Sequence, residues 1–131
     1  MRVLRILLIG SAGLAGTLCR YALAGAVERR YGGSSTAGTL AVNLLGCLLA
    51  GFLFCLFEAR HLSNETARAA LFVGLLGGFT TFSSYGLQTF TLLRDGGLRQ
   101  AAAYAAASNL LGVLLVFGGY SLGRLLGGAA R

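Results

Sequence analysis

Along this chain long apolar runs alternate with short polar clusters, and the length of the runs decides what the elements are. The first run extends from about Ile6 to Val27 and closes at Glu28-Arg29-Arg30-Tyr31-Gly32-Gly33-Ser34-Ser35. A second covers about Ala37 to Phe57 and stops at Glu58, Arg60, His61 and Asn64-Glu65-Thr66. The third, from about Arg68 to Leu93, ends at Arg94-Asp95-Gly96-Gly97, and the fourth occupies about Gln100 to Leu126. Each is at least as long as the roughly 20 apolar residues that carry a helix across a bilayer, so the pattern predicts an all-α membrane protein of four transmembrane helices. No Pro and no linker separates the runs, and residues 1–131 read as one transmembrane domain. Ala22-Leu23-Ala24 imitates a signal-peptidase site, but Arg20 interrupts the stretch before it, so the first run is expected to remain a span.

Small residues recur four apart in the first two runs, as Ala12 and Gly16, Gly46 and Ala50, and Cys47 and Gly51. Such spacing lets helix backbones approach closely in lipid, where packing drives association. The stretch Gly77-Gly78-Phe79-Thr80-Thr81-Phe82-Ser83-Ser84-Tyr85 is different. Its glycines and hydroxyl residues fall at mid-membrane depth, where an unbroken helix would favour Leu and Ala. The expectation is a break in the third helix at Gly77-Gly78, freeing carbonyls that lipid cannot satisfy.

Composition supports the membrane reading: 56% of the residues are hydrophobic and 11% charged, and the mean hydropathy is +0.74. A net charge of +7 invites a nucleic-acid reading, yet all 11 basic residues are Arg and they lie scattered at the ends of the runs, with no basic stripe. The partner they imply is the lipid bilayer, and nucleic acid is not expected. Cys19, Cys47 and Cys55 lack metal spacing and read as small buried hydrophobes. If the termini and the middle loop share one side, that side holds Arg2, Arg5, Arg60, Arg68, Arg124 and Arg131, against Arg20, Arg29, Arg30, Arg94 and Arg99 opposite. A difference of one barely biases insertion, so both orientations are expected. For a chain too small to enclose a pore alone, that points to an antiparallel homodimer with its two-fold axis in the membrane plane.

The acidic residues, Glu28, Glu58, Glu65 and Asp95, all read as loop residues, leaving the membrane core without carboxylates. Proton-coupled and cation-exporting transporters need such a group, and this argues against that whole class. No cluster of nucleophile, base and acid exists either, so an enzyme is not expected. What remains is polar and uncharged. Asn43 sits mid-run, where its amide needs a partner. The third run offers the hydroxyls of Thr81 and Ser83, and Tyr104, Ser108 and Gly112 follow at i, i+4 and i+8 on one helix face. Such hydroxyls are often satisfied by an upstream carbonyl. Together, though, these groups offer donors without fixed negative charge, which suits a small, strongly hydrated anion. Phe82 and Tyr85, three apart, share a face; their ring edges are electropositive, although pairs at this spacing usually only pack. Arg20 reads either as an interfacial anchor or as the source of an electropositive vestibule.

The stretch from Gly77 to Tyr85, in the third of four runs, resembles the signature of the Fluc-type (CrcB) fluoride channels. Gly38-Thr39-Leu40-Ala41-Val42-Asn43-Leu44-Leu45-Gly46 is similar to the asparagine-bearing second helix of that family, and Arg20-Tyr21 resembles the arginine near the end of its first helix. The resemblance implies a dual-topology homodimer in the cytoplasmic (inner) membrane, with two pathways for passive export of fluoride. It also implies a structural sodium ion at the interface, held by backbone carbonyls that match Gly77 and Thr80. The pathway residues it implies are Asn43, Phe82, Tyr85, Tyr104 and Ser108, with Thr39, Thr81, Ser83 and Arg20 placed along the same route. Gly112 lacks a hydroxyl that some members carry. Tyr85 stands where the family usually has Phe, and its phenol adds a donor and an acceptor that bear on ion occupancy and conduction rate. The alternative is a structural or assembly subunit whose polar third helix only packs against partners.

Overall fold

The computed structural model describes residues 2–59 and 64–126. Arg60, His61 and Arg131, which entered the reading of the loops and the Arg count, lie outside the described residues. Helix α1 (Arg2–Arg30) and helix α2 (Ser35–Ala59) are continuous. The third span, Glu65–Arg94, is assembled from α3 (Glu65–Ala69), a π-helical stretch (Ala70–Leu76), α4 (Gly77–Phe79) and α5 (Phe82–Arg94). The fourth, Leu98–Leu126, consists of α6 (Leu98–Ala106), a second π-helical stretch (Ala107–Leu111) and α7 (Gly112–Leu126). All four spans are long and apolar enough to cross a membrane.

The helices overrun the apolar runs at their ends because polar residues there satisfy the terminal backbone groups. At the end of α1, Gly32 (φ 66°) and Gly33 (φ 83°) take the left-handed conformation that lets Gly33 N–H return to the Glu28 carbonyl at 2.8 Å. Asn64 caps α3 by accepting from the N–H groups of Thr66 and Ala67, each at 3.1 Å. Glu28, Glu58 and Glu65 consequently lie in the terminal turns of helices and not in loops, as read from the sequence. They still stand at the ends of the spans.

Helix α1 packs against the first half of the third span, α2 lies along α7, and α5 packs against α6 and α2. Glycines bring these backbones together. A Cβ on Gly16 would strike the Leu75 carbonyl; one on Gly51 would strike the Val116 carbonyl, and one on Gly119 the Leu48 carbonyl. Little is fully enclosed: among the described residues Val42 at 0% and Ala101 at 2% are the most buried of the apolar core. Ile6, Leu7, Leu14, Leu110, Leu114 and Phe117, each more than half exposed, form an apolar outer surface. A bundle that is oily outside is suited to lipid and to further protein, not to water. Cys55 is buried within it and Cys47 partly so, but Cys19 is exposed on the single chain, against the expectation that all three are buried.

The third span departs from the expectation at one place. Gly77 is helical (φ −64°, ψ −36°), as is Gly78, while the extended residues are Thr80 (φ −85°, ψ 159°) and Thr81 (φ −148°, ψ 110°). Gly78 is needed for packing, since a Cβ there would strike the Gly13 backbone of α1. The threonines suit the step because β-branching favours extended backbone and their hydroxyls bond it locally. Thr80 donates both its N–H and its Oγ1–H to the Leu76 carbonyl, each at 2.9 Å. Thr81 Oγ1 accepts from Ser84 N–H at 3.2 Å and so caps α5.

Candidate functional site

The Thr80–Thr81 step is held by side chains from the two helices that precede it. From α2, Asn43 Oδ1 accepts from Thr81 N–H at 2.8 Å while its Nδ2 donates to the Thr81 carbonyl at 3.1 Å. From α1, Arg20 Nε donates to the Gly78 carbonyl at 3.1 Å and Thr17 Oγ1 to the same oxygen at 3.4 Å. Arg20 is half-buried and turned to the third span, an engagement neither of its sequence readings foresaw. In an uninterrupted helix Thr81 N–H would bond the Gly77 carbonyl and Ser84 N–H the Thr80 carbonyl. Both donors are diverted, to Asn43 and to the Thr81 hydroxyl, so those two carbonyls lose the partners that a regular helix would give them.

Beside the step lies a cavity of about 240 Å³ lined by Asn43, Cys47, Thr80, Thr81, Phe82, Tyr85, Ser108 and Asn109. None of these side chains carries a formal charge. The Phe82 and Tyr85 rings stand 5.4 Å apart by their centroids, and Tyr85 and Tyr104 are separated by the same distance. Ser108 Oγ is buried with no hydrogen-bond partner among the described residues, so the upstream-carbonyl reading fails for it. A second cavity, of about 880 Å³, opens between α1, α2 and α5 and includes Arg20, Glu28, Arg29, Thr39, Ser84 and Gln88 in its wall. Thr81 borders both cavities.

Thr39, 6% exposed, accepts from Gln88 Nε2 at 2.9 Å, and Gln88 Oε1 accepts from the Tyr104 hydroxyl at 2.7 Å. Tyr104 is thereby turned to Gln88 while Ser108 lines the smaller cavity, so the expected single face of the fourth span is divided. The wider turn beginning at Ala107 rotates the residues that follow it relative to α6. Ser83 is exposed, and its hydroxyl meets that of Thr81 at 3.3 Å. Three participants escaped the sequence reading: Thr17, Gln88 and Asn109. Gln88 had a signal, because Thr81, Ser84, Tyr85 and Gln88 follow at i, i+3, i+4 and i+7 on one face. Asn109 is a second lone amide within an apolar run, as Asn43 is.

A family model described as CrcB-like protein, Camphor Resistance (CrcB), matches residues 7–120. Three relatives, each called Fluoride-specific ion channel FluC, are similar along almost their whole length. That of Aquifex aeolicus strain VF5 is 41% identical over 118 residues, 90% of this chain and 95% of its own. That of Pseudomonas putida strain F1 is 44% identical over 116 residues, 88% and 94% of the two chains. That of Nitratidesulfovibrio vulgaris is 41% identical over 122 residues, 93% and 98%.

Proposed function

The chain belongs to the CrcB family, and from that premise we propose that it is a fluoride-selective passive channel, a transporter and not an enzyme. The observation that carries the reading is the smaller cavity: amide, hydroxyl and ring-edge groups converge on one space with no carboxylate in its wall. A small, strongly hydrated anion gives up water only where fixed donors replace it, and a negative wall would repel it. In the larger cavity Arg20 and Arg29 outweigh the single carboxylate of Glu28 and favour anion entry, with Thr81 as the boundary passed between the two spaces. Fluoride that has entered as the neutral weak acid ionises inside and leaves down its gradient, so no bond chemistry is required. The membrane in question is the cytoplasmic (inner) one.

The working unit is an antiparallel homodimer with a pathway on each side, its third spans broken within the membrane at Thr80–Thr81. The near-balanced Arg distribution and the apolar outer surface of the single chain support this arrangement. The carbonyls of Gly77 and Thr80, stripped of helical donors, fit a sodium ion shared by the two copies. It would supply positive charge to carbonyl oxygens that lipid cannot satisfy, a structural service.

Purified protein in liposomes loaded with fluoride should release it without any partner protein, and should release chloride far more slowly. Vesicles prepared with a bulky organic cation in place of sodium should conduct less. Absence of fluoride release from sodium-containing vesicles would favour a structural or assembly subunit instead. Release unaffected by removal of sodium would discard the cation site alone.

A further inference from the structure

Tyr85 brings a phenol to a cavity that a plain ring would also line, and its hydrogen bonding fixes what that phenol does. Asn109 Nδ2 donates to the Ala105 carbonyl at 2.8 Å and to the Tyr85 hydroxyl oxygen at 3.0 Å. A carbonyl only accepts, so the amide atom facing Ala105 is the nitrogen, and the phenol oxygen beside that same nitrogen acts as acceptor. The phenol's own proton is then directed away from Asn109, and it meets no acceptor among the described residues. One residue before Asn109, Ser108 Oγ is likewise buried without a partner. Both residues line the smaller cavity, which has no carboxylate in its wall. A buried hydroxyl such as that of Ser108 is rarely left unbonded, and with the Tyr85 proton also unclaimed beside a cavity without a carboxylate, the two call for an acceptor from outside the chain.

We infer that Asn109 is a positioning residue which makes Tyr85 a hydrogen-bond donor, so that Tyr85 and Ser108 form a two-hydroxyl subsite for the permeating anion. The inference rests on the fluoride-channel reading and deepens it. A hydrogen bond to an ion weighs on how tightly the ion is held, so the subsite is read in the fluoride concentration that half-saturates efflux, separately from the maximal rate.

The experiment compares wild type, Tyr85→Phe, Asn109→Leu and the double variant in liposomes over a range of fluoride concentrations. Tyr85→Phe keeps the ring and removes one oxygen, and it should raise the half-saturating concentration by about tenfold or more, the low end of the worth of one hydrogen bond to a charged group. Asn109→Leu should move it in the same direction in wild type and have no effect once Tyr85 is Phe. An unchanged half-saturating concentration in Tyr85→Phe overturns the subsite, whether or not the Asn109 variant folds. Equal effects of Asn109→Leu in both backgrounds overturn its positioning role. A wild type that passes no fluoride overturns the channel reading itself, an outcome distinct from either.

Discussion

Asn43 holds both backbone groups of a single residue, Thr81, and this pair of hydrogen bonds makes it more than a lining amide. Asn43→Leu keeps a similarly branched shape but leaves that N–H and that carbonyl without partners. Each buried orphan costs about 1–3 kcal/mol. The expected result is loss of fluoride efflux from liposomes together with a clear drop in the thermal unfolding temperature in detergent. Normal efflux from Asn43→Leu would remove the residue from the site. The need for a partner was legible in the sequence, because a lone amide at mid-depth cannot be left unbonded in lipid. Which partner was not legible, since that depends on the register in which α2 meets the Thr80–Thr81 step.

At the scale of elements, α2 and α7 touch through glycines whose neighbours do nothing comparable. A Cβ on Gly119 would strike the Leu48 carbonyl, whereas one on the adjacent Gly118 would meet nothing within 4 Å. Gly119→Ala should therefore lower stability by about 1–3 kcal/mol or more, the range for overpacking. Gly118→Ala should be neutral or stabilising by up to about 1 kcal/mol through helix propensity. Unfolding of the two variants in detergent checks the contrast, and similar behaviour would refute the helix contact. The four spans were legible because about 20 apolar residues have one use in a bilayer. The internal irregularities were not. Glycine in lipid serves equally for a break or for close packing; Gly78 serves packing against Gly13, and the extended residues turn out to be the threonines after it. Nothing in the sequence of Ala70–Leu76 or Ala107–Leu111 announces a π-helical turn.

For the whole molecule, Arg5 on α1 meets Glu65 on α3 at 3.4 Å, which sets the N-terminal end and the start of the third span on one side, as the Arg count assumes. The pair is exposed and adds little stability. Two or three Arg added near Gly96 should bias insertion to one orientation and reduce fluoride efflux, while a reporter fused to the unaltered C-terminus should be found on both sides of the membrane. A reporter confined to one side would contradict dual insertion. Thr17, Arg20 and Asn43 also precede, in the order of synthesis, the step that they bond. The step thus leaves the ribosome after its hydrogen-bond partners have been made, and its entry into the bilayer need not wait for a second copy.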